Sequence, residues 1–152
     1  MDEREETVRA AEGYAEAGYL CSEAVLLALA ESLGAESRLV PRIATGFAAG
    51  VARTGNVCGA LSGGLMGLGL RYGRDTPETE PCRRPYWYAR RLAEAFEEAL
   101  GSATCPGVLG LDIDDPDDYR RYTEEDMWAT RCREAIGTAA GLAYGLVQEE
   151  KK

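Results

Sequence analysis

Histidine is absent from the 152-residue chain, and that gap closes off a large part of enzyme chemistry. Without imidazole there is no Ser/His/Asp or Cys/His catalytic arrangement, no imidazole metal ligand and no c-type haem attachment, whose motif ends in His. Basic charge is also short. Seventeen Lys and Arg stand against 26 Asp and Glu, a net charge of −9, so the chain repels phosphates rather than releasing their counterions, which makes it a poor partner for nucleic acid and anionic membrane surfaces and gives the expectation of no nucleic-acid partner. The apolar run from Val57 to Leu70 is shorter than the ~18 residues needed to span a bilayer, so no membrane insertion is expected. The start, Met1-Asp2-Glu3-Arg4-Glu5-Glu6, is charged and has no apolar signal segment, which gives a cytoplasmic expectation. No stretch alternates with period two, so there is no strand signal. The five cysteines, at 21, 58, 82, 105 and 132, never form a CxxC pair, which removes the usual local signature of zinc ribbons, ferredoxins and thioredoxin-like motifs. What remains is thiol and carboxylate chemistry on an all-α scaffold.

The centre of that scaffold is Gly55-Asn56-Val57-Cys58-Gly59-Ala60-Leu61-Ser62-Gly63-Gly64-Leu65-Met66-Gly67-Leu68-Gly69-Leu70. Asn56 reads as an N-cap, which places Cys58 in the first helical turn. There the unpaired amides and the helix dipole favour a thiolate over a thiol, as nucleophile or as metal ligand. Each glycine inside the helix costs about 0.5–1 kcal/mol relative to alanine, so close packing has to offset them. Gly59 and Gly63 share a face at i, i+4 and admit either another backbone or a compact inorganic group. A phosphate-binding loop is a weak reading, since no hydrophobic strand precedes Gly55 and the Lys-Ser/Thr pair is missing. A tightly packed core helix with an inert cysteine is the plain alternative.

The other segments follow the same pattern. An amphipathic helix spans about 3–19, with Gly13 and Gly18 as soft points. A second, at 22–33, is closed by Gly34 and capped by Ser22 or Cys21, or else forms one continuous helix with the first. A third, at 37–53, has Pro41 in its first turn. Residues 71–85 form a proline-rich connector carrying Cys82. A helix at 86–100 stops at Gly101, Pro106 sets Cys105 at the cap of a short turn, and a glycine-punctuated helix spans 127–148. The acidic stretch 111–118 departs from the EF-hand pattern and reads as N-capping by Asp115, or as a solvated turn. The expectation is one all-α domain over residues 1–152, a compact bundle of about five to seven helices with glycine-rich central members. These glycine faces are also compatible with a helical homodimer.

Cys21, Cys58, Cys105 and Cys132 each fall near an expected helix start, a placement that stabilises thiolates together if the helices converge. The residues that surround them carry a resemblance: Cys21-Ser22-Glu23-Ala24-Val25, Gly46-Phe47, Gly55-Asn56-Val57-Cys58-Gly59-Ala60-Leu61-Ser62-Gly63, Cys105-Pro106-Gly107-Val108-Leu109-Gly110 and Cys132. In order and spacing the chain resembles the C_GCAxxG_C_C family of redox-active proteins, bacterial or archaeal, over about residues 10–146. The resemblance extends to the cysteine-bearing domain of split-Soret cytochromes, in which an iron–sulfur centre accompanies the haems. It departs in two places: Ala48-Ala49 stands where glycines are expected, and Arg133 follows Cys132 where proline is expected.

The resemblance implies that Cys21, Cys58, Cys105 and Cys132 ligate an iron–sulfur cluster of unspecified type, for electron transfer or redox sensing with an unidentified redox partner. Gly59, Ala60 and Gly63 would form its immediate backbone surroundings, with glycine amides near Cys58 as hydrogen-bond donors. Two alternatives stay open. One is a metal-free thiol–disulfide protein with Cys58 as the reactive thiolate; the other is a structural zinc site on the same four cysteines. Cys82 lies outside the pattern. No constellation for substrate conversion is present, which favours an electron-transfer or binding protein over an enzyme.

Overall fold

The computed structural model describes residues 1–77 and 85–149, so Cys82 and its neighbours lie outside the described residues. The described residues are all-helical, apart from a single isolated bridge between Val57 and Thr104. Helix α1 (Glu3–Glu16) is capped by Asp2, whose side chain accepts from the Glu5 amide at 2.8 Å, and Glu3, Glu5 and Glu6 complement the dipole in its first turn. It ends before Gly18, whose φ of +107° breaks the path. The helix 3–33 is therefore not continuous. Helix α2 (Cys21–Leu33) starts after Leu20, whose amide donates to Glu23 Oε1 at 2.9 Å, and stops at left-handed Gly34. Cys21 is thus its first residue rather than its cap, and the Ser22 hydroxyl donates to the Ala44 carbonyl at 2.7 Å.

The segment expected as one helix at 37–53 is instead a 3-10 turn, Arg42–Phe47, followed by a short element of opposite hand, α3 (Ala48–Arg53). Next come α4 (Gly59–Tyr72), α5 (Trp87–Leu100), α6 (Cys105–Leu109) and α7 (Pro116–Glu124). A π-helical turn, Trp128–Cys132, leads into α8 (Arg133–Glu149). Eight α-helical elements among the described residues exceed the expected five to seven. The unforeseen one is α7, which buries no side chain and so shows no apolar periodicity. Its start is nevertheless encoded, because the Asp115 side chain accepts from the Asp118 amide at 3.0 Å and Pro116 occupies the first turn. No described helix is long and apolar enough to cross a membrane.

Helices α2, α4 and α8 pack on one another, with α1 against α2 and α8 and α5 against α4 and α8. Val25, Leu29, Leu61, Leu68, Leu92, Phe96, Ile136 and Val147 fill the space between them. The glycines set the spacing. A Cβ on Gly63 would overlap the Ser22 carbonyl of α2, and one on Gly67 would overlap Leu29. Gly137 and Gly141 of α8 face Val8 of α1 with Cβ positions 3.4 and 3.2 Å from its methyls. Helix α4 therefore lies against α2 nearly backbone to backbone, and the conformational cost of its glycines is offset by that contact.

Gly63→Ala is expected to destabilise the protein by about 1–3 kcal/mol, because a backbone carbonyl cannot move aside as a side-chain end can. Gly145→Ala, whose Cβ meets nothing within 4 Å, is expected to stabilise by up to ~1 kcal/mol through helix propensity. Urea unfolding of both variants measures the contrast.

Candidate thiol centre

The four cysteines are brought together by three local devices. First, the strands of loop before α4 and α6 pair: Cys58 N donates to Ala103 O and Cys105 N donates to Asn56 O, each at 2.8 Å. That pairing, with the Val57–Thr104 bridge, sets Cys58 and Cys105 side by side. Asn56 is consequently a stitching residue and not the expected N-cap; its amide donates to Gly50 O at 2.9 Å and its side chain to Thr54 Oγ1 at 2.8 Å. Cys58 itself occupies the cap of α4, and Thr104 caps α6 through the Gly107 amide at 3.0 Å, leaving Cys105 at its first position.

The second device is α3, where Ala49, Gly50, Val51, Ala52 and Arg53 all have φ between +54° and +68°. Left-handed turns cost L-residues roughly 1–2 kcal/mol each. The turn is held by Thr54 Oγ1, which donates to Val51 O at 2.7 Å, and by the close approach of Cys105, whose Cβ would lie 2.7 Å from a Cβ on Gly50. The strain turns the Ala49 amide toward the Cys21 sulfur. Gly59 completes that wall, since the Cys21 sulfur fills the place that its side chain would take.

The third device is the π turn. Cys132 N bonds to Met127 O at 2.9 Å, and the extra residue re-aims Cys132 inward. Arg131 anchors the turn by donating to Val108 O at 2.7 Å and Leu100 O at 2.9 Å. Arg133, which stands where proline was expected, begins α8 and ties it to Glu12 of α1 at 3.1 Å.

The result is a cavity of about 260 Å³ lined by Cys21, Cys58, Cys105 and Cys132. Its remaining walls are mostly aliphatic, with Arg53, Tyr119, Tyr122 and Trp128 as the larger side chains and no carboxylate. All four thiols are free. Cys58 and Cys105 are buried, and Cys21 and Cys132 partly so. Among the described residues, no three or more side chains of ligating type are gathered tightly enough to hold one metal ion.

Burial dominates the electrostatics. It pushes the Cys58 thiol up to about 12, reinforced by Cys21, even though the Ala60 and Leu61 amides at the start of α4 favour the anion. Cys105 is likewise raised to about 12 by burial and then by Cys58 and Cys132, Cys132 to about 11 by burial, and Cys21 upward by burial. The expected low-pKa thiolate at Cys58 is therefore overturned, because desolvation outweighs the helix N-terminus. Cys58, Cys105 and Cys132 are each raised further by a neighbouring cysteine, so these buried thiols resist ionising together unless a cation shares the cavity.

Gly59 and Ala60 line the cavity with the cysteines, whereas Gly63 lies one turn deeper against Ser22. Sequence reasoning missed Arg53, Tyr119, Tyr122 and Trp128. The i, i+3 spacing of Tyr119 and Tyr122 was the available signal, hidden because α7 carries no apolar stripe.

This arrangement defines a helical thiol-centre protein, with one cavity lined by four cysteines, three at the starts of α2, α4 and α6 and Cys132 at the end of the π turn that leads into α8. A family profile described as "Putative redox-active protein (C_GCAxxG_C_C)" matches residues 19–146, and the chain belongs to that family. Comparisons with curated proteins and with solved structures return no match.

In metal-free Cys82→Ser protein, folding stability is expected to fall as pH rises above the ordinary thiol value of about 8.5. The folded state holds the thiol protons more tightly than the unfolded chain does, so stability is complete below that value and is lost toward the folded values near 11–12. Urea unfolding at pH 7 and pH 9.5 measures the loss. A variant with all four cavity cysteines replaced by alanine should lack it.

Proposed function

We propose that this is a redox protein in which Cys21, Cys58, Cys105 and Cys132 hold an iron–sulfur cluster, serving electron transfer or redox sensing. The observation that carries the reading is the convergence of all four cysteines on one cavity whose lining contains no other ligating side chain. The donor set fits such a group: it is all sulfur, enclosed by apolar walls, and raised in pKa until a cation shares it. When bound, such a centre takes up and returns one electron.

The chain's own groups would tune that exchange. Backbone amides of Ala49 and Ser22 favour charge on the Cys21 sulfur, and those of Ala60 and Leu61 favour it on Cys58. These donors, with the Tyr122 hydroxyl 3.3 Å from Cys132 Sγ, withdraw charge from the sulfurs and raise the reduction potential. Burial opposes them by penalising added negative charge. Family membership supports redox activity independently of the metal.

The test is iron and acid-labile sulfide in protein purified without oxygen, compared between Cys58→Ser and Cys82→Ser. Comparable iron and sulfide, retained in Cys82→Ser and lost or sharply reduced in Cys58→Ser, is the expected result. Equal metal in the two variants, or zinc without sulfide, would contradict it.

A further inference from the structure

Tyr122 and Tyr119 line the cavity yet supply no ligand, and their contacts run outward from it. The Tyr122 hydroxyl lies 3.3 Å from Cys132 Sγ. Its ring stacks on that of Tyr119, with centroids 6.0 Å apart and planes 18° from parallel, as i, i+3 neighbours on one face of α7. Tyr119 is 43% exposed. The Arg53 guanidinium covers its ring at 4.5 Å from the centroid while donating to the Ile113 carbonyl, which fixes both groups at the mouth of the cavity. The partly buried Cys132 sulfur is thus joined to solvent by one hydrogen bond and one ring stack. Elsewhere the walls are largely aliphatic or backbone. Trp128 also lines the cavity, but no aromatic contact continues from it among the described residues.

Electronic coupling decays exponentially with distance and drops further at each unbridged gap, so the shortest contiguous contact chain carries most of the transfer. We propose that Tyr122 and Tyr119 are the route by which electrons pass between the cysteine centre and a one-electron carrier that meets the protein at Tyr119. The inference rests on the redox reading above. In the inward direction one electron leaves the reduced carrier and arrives at the sulfur-bound centre; no bond breaks, and both phenol protons stay in place. Tyr122 acts through Cys132, and Tyr119 acts through Tyr122.

The experiment uses full-length Cys82→Ser protein in two forms. As purified without oxygen, it is reduced by a flash-generated ruthenium polypyridyl reductant too bulky for the cavity, and the bleaching rate of the visible band is followed. After metal removal, the same complex with persulfate and light takes an electron and a proton from Tyr119. Tyr119 then regains its electron from Cys132 through Tyr122, and a proton from water. The Cys132 thiol proton passes to water, and the thiyl left behind is captured by a nitrone spin trap located by peptide mass spectrometry.

The expected result is several-fold slower bleaching in Tyr119→Leu and in Tyr122→Leu. Spin-trap adduct is expected to be concentrated at Cys132 and to fall several-fold in the same two variants, with Trp128→Leu unchanged in both assays. Tyr119, being exposed, can be replaced without disturbing the core if Tyr122→Leu fails to fold. Unchanged bleaching and unchanged adduct in Tyr119→Leu, or a loss confined to Trp128→Leu, would overturn the route. Adduct at Cys132 in a protein that carries no iron would remove the cluster and keep the route; an iron centre whose bleaching ignores Tyr119 would do the reverse.

Discussion

The near backbone-to-backbone contact of α2 with α4 decides how closely Cys21 can approach the start of α4. Gly63 and Gly67 let α4 settle onto Ser22 and Leu29, and one turn toward the cavity Gly59 leaves the space that the Cys21 sulfur fills. A side chain at any of these positions would push the two helices apart, and Cys21 would retreat from Cys58. The same glycines that weaken α4 as an isolated helix therefore set the geometry of the site. Around this pair, α8 is held by α1 through Gly137 and Gly141 and by the Arg133–Glu12 ion pair. That support fixes the direction from which Cys132 arrives.

A second constraint is electrostatic. The four thiols line a cavity with no carboxylate or histidine in its walls, and the positive charge near them is that of backbone amides, of Arg131 beside Cys132 and of the Arg53 guanidinium near the mouth. Burial and mutual repulsion keep them protonated when they are alone. Such a group makes a poor resting nucleophile, which weighs against the thiol–disulfide reading centred on Cys58. As a ligand set it is coherent, since a cation would relieve the repulsion of all four at once. The strain in α3 serves the same end: it aims the Ala49 amide at a sulfur, the kind of backbone distortion that collects at functional sites.

Much of this was legible in the sequence, for reasons that can be named. The glycine face of α4, the stop at Gly34, the Asp115 cap and the placement of cysteines at helix starts are local signals, and local physics decides them. The four cysteines that line the cavity were picked out by the family motif. What was not legible depended on tertiary context. Left-handed φ at Ala49 contradicts alanine's own preference, and glycine, the residue expected there, is the one that adopts it freely. The raised thiol at Cys58 required knowing its burial, and Gly63 proved to face Ser22 because the partner helix could not be identified from spacing alone. Helix α7, with two tyrosines and no aliphatic residue, offered no apolar stripe to find, so the tyrosine pair on it went unread.

If the four cysteines surround one polynuclear iron centre, as proposed, anomalous diffraction at the iron absorption edge, from crystals grown without oxygen, will reveal it. The expected result is a single compact group of iron peaks inside the cavity, bonded to the sulfurs of Cys21, Cys58, Cys105 and Cys132. A cavity free of anomalous signal, or iron bound by only one or two of these sulfurs, would contradict it.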